Sequence, residues 1–380
     1  MTHQPLPDHL SITTILRDTF PSIGAIEEMI LLKESDRCRV FRCRIAGGDE
    51  APSGAIVKQI LTQEECGFSD WGSLRFIATD PVRRDLAPGF YGGDREKGIY
   101  LMEDLGGSLT LDDLMRGDDR EAAIDGLMRL ATRCARLHRS SSGAPHEAAF
   151  RAIRSALPGD EGLGREREAE RWSASLDRVR TWFALAGIAL DERFDGECAG
   201  INLTYRQPGA FLAFTHGDIA PSNNHLRDGE LRLIDFEYGG FRHALYDMAV
   251  WNVLCPLPEA LLVMLLESYR TEYLAAAPEL NGRAFTREWE RICIWRGMAM
   301  LGWFSTRTME ENGIWIDAWT TRDALLRTVM MIARSASHAG DLPGIAESFG
   351  RLARALAARW PDATGTIPSW RALADDRNDG

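Results

Sequence analysis

The chain has 380 residues, 45% hydrophobic and 26% charged, the make-up of a folded globular protein with room for two or three domain-sized units or two lobes around one cleft. Lys and Arg number 44 against 56 Asp and Glu; the net charge of -12 argues against non-specific nucleic-acid binding and is compatible with a cationic ligand. The seven scattered cysteines, with Cys38 and Cys43 the closest pair and no CxxC, exclude a disulfide scaffold or a cysteine-metal pattern and fit a reducing cytoplasm.

The opening residues, MTHQPLPDHLSITT, lack the basic and apolar regions of a signal peptide. The longest apolar run, Ala260 to Leu266, stops at Glu267, too short to span a bilayer. A soluble cytoplasmic protein is expected, with no membrane contact.

A helix is expected from about residue 10 to 27, with Ser11 as a cap and Ile12, Ile15, Leu16 and Phe20 on one face. Three strands follow at 29–33, 39–45 and 54–60, turned at Gly47-Gly48-Asp49, which reads as a small antiparallel sheet. The loop between the first two strands, Glu34 to Cys38, holds no glycine. Residues 85–91 and 98–103 read as the last strands of this sheet, and Glu103-Asp104-Leu105-Gly106-Gly107 leaves it. From Leu111 the pattern is helical. Ala123, Leu127, Leu130, Cys134 and Leu137 form an amphipathic stripe that ends at His138, read as a structural histidine. One or two charged helices are expected between 140 and 212, with Trp172, Leu176, Val179 and Phe183 as their apolar stripe.

The segment 214–251, FTHGDIAPSNNHLRDGELRLIDFEYGGFRHALYDMAVW, carries the chemistry. Leu231, Leu233 and Phe236 read as a short buried strand, and Asp228-Gly229 as a hairpin turn. Such a hairpin returns the His216–Asn223 loop to the side of Asp235, so that Asp218, Asn223 and Asp235 converge. Hard oxygen ligands of this kind suit Mg2+, which takes one or two protein carboxylates and fills its other positions with water and phosphate.

Beyond it the chain reads as helices. Leu261, Leu265, Tyr269 and Tyr273 follow Pro258; Trp289, Ile292, Trp295, Ala299 and Trp303 recur at three- and four-residue steps. Residues 325–336 and 345–360 complete an all-helical end before a polar tail from about Asp375. Trp315 and Trp319, among Glu310, Glu311 and Asp317, suggest a cation–π pocket for an amine. The helical spacing makes core packing the stronger reading for most of these tryptophans.

HGDxxxxN followed by IDFE resembles the catalytic core of the aminoglycoside phosphotransferase and choline kinase superfamily, relatives of the protein kinases. The resemblance implies an α+β, protein-kinase-like, two-lobed fold. A sheet-containing nucleotide lobe would span about residues 1–103 and a mainly helical lobe 104–380. It further implies an ATP- and Mg2+-dependent phosphotransferase acting on a hydroxyl of a small molecule, such as an amino alcohol, aminoglycoside, sugar or hydroxy amino acid.

By the same resemblance Asp218 is the catalytic residue, orienting the acceptor hydroxyl and taking its proton, and Asn223 and Asp235 hold the metal. Asp247 braces the loop. Lys58, in Ala55-Ile56-Val57-Lys58, grips the ATP phosphates, paired with Asp70 where the family usually has Glu; Glu64 and Glu65 compete for that pairing. Glu103 and Leu105 lie at the adenine-binding hinge. The glycine-rich flap of kinases is missing, leaving Ser35 or Arg37 as phosphate contacts. The rival reading is a kinase-like nucleotide-binding or interaction module with weak or no catalysis.

Overall fold

The structure is a computed structural model that describes residues 5–46, 52–62, 67–107, 109–159, 164–275, 282–316, 319–366 and 370–374. The turn expected at Gly47–Asp49, the acids Glu64 and Glu65, Asp317 and the tail from Asp375 lie outside the described residues.

In chain order the first elements are α1 (His9–Thr19), β1 (Ile26–Glu34), β2 (Cys38–Ile45), β3 (Gly54–Ile60), α2 (Ser69–Ile77), α3 (Pro81–Arg84), β4 (Phe90–Asp94) and β5 (Ile99–Glu103). Then come α4 (Leu111–Arg116), α5 (Arg120–Ser140), α6 (Ala144–Ser155), α7 (Arg165–Leu185) and α8 (Phe194–Arg206). Short strands follow: β6 (Leu212–Thr215), β7 (Asn224–Arg227), β8 (Glu230–Leu233) and β9 (Gly240–His243). The rest is α9 (Leu245–Met248), α10 (Val250–Val253), α11 (Glu259–Leu274), α12 (Gly282–Leu301), β10 (Ile314–Ile316), β11 (Trp319–Thr320), α13 (Thr321–Ala339) and α14 (Pro343–Arg359).

The chain forms two compact units. The first joins Met1–Leu111, Pro145–Leu163 and His216–Gly240; the second joins Asp112–Ala144, Gly164–Thr215 and Phe241–Gly380.

The first unit is built on an antiparallel sheet of order β1-β2-β3-β5-β4. Its strands alternate with period two. Phe41, Cys43, Ile45, Ala55, Val57 and Leu101 turn inward against Ile12, Ile15 and Leu16 of α1, forming one apolar core. The other face carries Val40, Ile56, Lys58 and Met102, and the alternation that buries Val57 therefore presents Lys58 to the opposite side.

Helix α1 begins and ends earlier than expected. Asp8, not Ser11, is its cap and accepts a hydrogen bond from Ser11 N at 2.8 Å. The helix stops at Thr19 because Pro21 disfavours helical geometry at Phe20. The β7–β8 hairpin forms where expected, with Asp228 and Gly229 both at positive φ (51° and 77°), the requirement of a two-residue turn matched to strand twist. β8 ends at Leu233, before Phe236, because Asp235 takes a left-handed conformation at φ 65°.

The second unit is mainly helical, as expected, but not wholly so. It also holds the short β10–β11 pair, in a stretch read as helical from sequence. The region 140–212 holds α6, which falls almost wholly in the first unit, and α7 and α8, which belong to the second, one helix more than expected. Trp172, Trp182, Trp251, Trp295 and Trp360 are buried, and Tyr205 stacks on Trp295 with centroids 3.8 Å apart. The core-packing reading holds for Trp289, Trp295 and Trp319, which are buried; Trp315 is half-buried, and Trp303, just past the end of α12, is exposed. The fold is thus α+β, with an antiparallel sheet in one unit and helices dominating the other.

Candidate active site

The first unit places Lys58 at the centre of a hydrogen-bonded group. Its Nζ lies 2.7 Å from Asp70 Oδ2 and 3.0 Å from Asp235 Oδ1. Asp70 sits in the first turn of α2 and is buried; its Oδ2 also accepts from the Tyr100 hydroxyl, and its Oδ1 accepts from Phe236 N at 3.0 Å. Burial opposes the Lys58 charge, but Asp70, Tyr100 and Asp235 override it and hold the pKa well above 10.5. For Asp235, burial acts upward and Lys58 outweighs it, so the carboxyl titrates below its ordinary value.

The loop that carries Asp218 is fixed from behind. His216 is buried, with Nε2 bonded to Ile234 O at 2.9 Å and Nδ1 accepting from Asp218 N at 3.3 Å, so the proton sits on Nε2. Gly217 has φ 87°, and a Cβ there would stand 2.2 Å from Tyr238 O; only glycine fits. Asn223 Nδ2 donates to Asp218 O at 2.8 Å and to Asp218 Oδ2 at 3.2 Å. Ile234 N donates to Asn223 O at 3.2 Å, which ties the loop to the residue preceding Asp235. Asp218 and Asn223 are therefore bonded to each other, and Asn223 is bonded to the residue that precedes Asp235.

A cleft of about 310 Å3 opens beside this group, lined by Lys58, Asp70 and Asp235 together with Glu103 and Leu105. Val40, Ile56, Pro88, Met102 and Ile234 supply apolar walls. Asp218 and Asn223 are not among its lining residues. In the segment that leaves β5, Glu103 Oε2 accepts from Gly89 N at 3.0 Å and from Arg232, while Gly106, at φ 77°, donates to Asp104 Oδ1 at 2.9 Å.

The loop between β1 and β2 shows what replaces a glycine-rich flap. Ser35 Oγ accepts from Arg37 N at 3.3 Å and Cys38 N at 3.2 Å, and Ser35 N donates to Cys38 O at 2.9 Å. The amides that glycines would leave open are engaged within the loop. Arg37 instead reaches Glu237 at 3.3 Å, and both line the cleft. Burial and the nearby Asp235 charge raise the Glu237 pKa.

Among the described residues no group of three or more His, Cys, Asp or Glu could hold a metal by itself. Asp235 Oδ1 faces Lys58, and Asn223 uses its amide nitrogen on Asp218 while its Oδ1 accepts from Ser222 Oγ at 3.4 Å; Asp235 Oδ2 and Asn223 Oδ1 are the hard oxygen atoms on adjoining segments. One carboxylate and one amide oxygen fit the sparse protein share of an Mg2+ site completed by phosphate.

Within the second unit, His138 is buried between Asp247 Oδ2 (2.9 Å from Nε2) and the Tyr269 hydroxyl (2.8 Å from Nδ1). That is the structural histidine the sequence indicates. The roles of Tyr100 and Arg232 have no motif in the sequence, and Glu237, though it closes the IDFE frame, takes no role from it. Tyr100 is found only through register, since it stands directly opposite Lys58 between β3 and β5.

Among solved structures, the chain is similar to the ethanolamine kinase of Plasmodium vivax at 11% identity, with 85% of this chain and 86% of that one covered and a TM-score of 0.47. The choline kinase LicA of Streptococcus pneumoniae is similar at 13%, with 87% and 99% covered and a TM-score of 0.42. The macrolide 2'-phosphotransferase MphH of Brachybacterium faecium is similar at 13%, with 76% and 91% covered and a TM-score of 0.46. Likeness at this level selects no substrate. No curated protein matches the sequence significantly. No helix among the described residues is long and apolar enough to cross a membrane. The model of the phosphotransferase enzyme family, APH, matches residues 73–289, more than half of the chain and all of the segment from His216 to Asp235, and the chain belongs to that family.

Proposed function

We propose that this protein transfers the terminal phosphoryl group of ATP to a hydroxyl of a small molecule, with Mg2+ bound. The observation that carries this reading is Lys58, held at 2.7 and 3.0 Å between Asp70 and Asp235 on the wall of an apolar cleft. The apolar walls take the faces of a base, the Glu103–Leu105 segment its edge, and the Lys58 ammonium the phosphates. Asn223 Oδ1 and Asp235 Oδ2 would hold Mg2+, which when bound draws charge from phosphate oxygens. Asp218 accepts the proton of the acceptor hydroxyl as its oxygen bonds to phosphorus and the bond to ADP breaks. Asn223 Nδ2 steadies that carboxylate. Such catalysis is mainly positioning and electrostatics.

The acidic chain favours a cationic acceptor, with amino alcohols, aminoglycosides, sugars and hydroxy amino acids as the classes to try. In this reading residues 1–103 form the nucleotide lobe, 104–380 carry catalysis and acceptor binding, and the protein works in the cytoplasm. The test is Mg2+-dependent ADP release across a panel of those acceptors, with Asp218→Asn beside the native protein. One acceptor that stimulates only the native protein supports the reading; equal turnover in Asp218→Asn overturns it.

A second reading rests on the β1–β2 loop, whose amides are engaged by Ser35 instead of facing the cleft. That favours a nucleotide-binding module with weak or no transfer. ATP binding with silence across the acceptor panel would favour it.

A further inference from the structure

The first unit contains a polar contact that the phosphotransfer reading does not use. Tyr100 is fully buried in β5, directly opposite Lys58 in the β3–β5 register, and its hydroxyl donates to the same Asp70 oxygen that binds Lys58. Asp70 therefore receives three donors from three places: Lys58 on β3, Tyr100 on β5 and Phe236 N beyond β8. Aspartate is one methylene shorter than glutamate, so its carboxylate has less reach and less torsional freedom to find a lysine. A third donor placed on the sheet fixes that carboxylate where Lys58 and Phe236 N can both meet it. Trp71, adjacent to Asp70, lies 5.7 Å from the Tyr100 ring and limits its movement.

We propose that Tyr100 is a positioning residue for Lys58, and that the Asp70–Tyr100 pair acts as one unit in place of a single longer carboxylate. Burial first, and the Asp70 charge next, keep the phenol protonated far above its ordinary range, so it remains a donor. The lysine is positioned through a relay: Tyr100 orients Asp70, Asp70 orients Lys58, and the same carboxylate anchors the amide next to Asp235.

The kinetic arm of the test rests on the phosphotransfer reading; the stability arm does not. Tyr100→Phe, Asp70→Glu and the double variant are compared with the native protein for nucleotide affinity, kcat, acceptor KM and thermal midpoint. Tyr100→Phe keeps the ring and should lower kcat about tenfold while acceptor KM stays unchanged. Asp70→Glu should lose a similar amount, because the longer side chain meets the phenol. The double variant should recover to within about threefold of native, since glutamate reaches Lys58 without help. Losses that multiply in the double variant overturn the proposal. If the native protein binds no nucleotide, the phosphotransfer reading fails and the thermal midpoints decide. A double variant more stable than either single one then supports the unit, and additive losses overturn it.

Discussion

The Lys58 ammonium lies 3.0 Å from the Asp235 carboxylate, across 177 residues of sequence, and both belong to the same compact unit. Since Asp70 is closer still to that ammonium, at 2.7 Å, one cation offsets two carboxylates. Replacing Lys58 by Met leaves Asp70 and Asp235 facing each other without it. The expected cost is about 3 kcal/mol of stability, from uncompensated buried charge. Lys58→Met combined with Asp70→Asn should recover part of that loss, and nucleotide binding should be lost in both. Urea unfolding of the three proteins checks it; a Lys58→Met protein as stable as the native one refutes it.

The same group fixes a pH window. The Asp235 pKa is lowered from 3.8, so its contribution is present above that value and is lost as pH falls through the lower folded value. The Lys58 pKa is raised above 10.5, so its contribution is fully present below 10.5 and is lost as pH rises through the folded value. Stability from this group should be flat between those limits and fall on both sides. In Asp235→Asn the acid-side slope should shrink, which equilibrium unfolding at a series of pH values measures.

Glu237 gives a prediction of opposite sign. Its pKa is raised by burial and by Asp235, so the folded state favours its protonated form. At neutral pH its charge works against phosphate in the cleft and engages Arg37. Glu237→Gln should tighten nucleotide binding about threefold to tenfold, and Arg37→Ala should weaken it by a similar factor. The advantage of Glu237→Gln should shrink as pH falls and native Glu237 takes up its own proton. Calorimetric titration at two pH values reads it; an advantage independent of pH removes the electrostatic explanation.

The sequence makes much of this site legible because its polar residues lie in short local frames. His216–Asn223 is one loop, and the Asp228-Gly229 turn brings β8 back beside it, so convergence follows from chain geometry. The alternation of β3 similarly separates Val57 in the core from Lys58 in the cleft. Tyr100 is not legible in this way. Its partner Asp70 is 30 residues away, and the contact depends on strand register and helix placement. The cap of α1 is Asp8, three residues before the Ser11 that the sequence suggests, and the backbone bond from Ser11 N decides it. The β10–β11 pair escaped because two or three residues per strand are too few to show a period.

The strongest local constraint on the loop is Gly217. A Cβ at this position meets Tyr238 O at 2.2 Å, and the residue's φ of 87° disfavours any L side chain. Backbone and neighbour thus oppose substitution together, and a flexible side chain cannot relieve a clash with a carbonyl. Gly217→Ala should cost about 2 kcal/mol or more. The loop must shift to accommodate the methyl, and its links to Ile234 run next to Asp235, so turnover should fall further than stability alone explains. Gly107→Ala is the control, because a Cβ there meets nothing within 4 Å. Thermal midpoints and ADP release from both variants separate the outcomes. Equal behaviour of the two proteins would mean that the His216–Asn223 loop tolerates displacement and that its backbone does not set the position of Asp218.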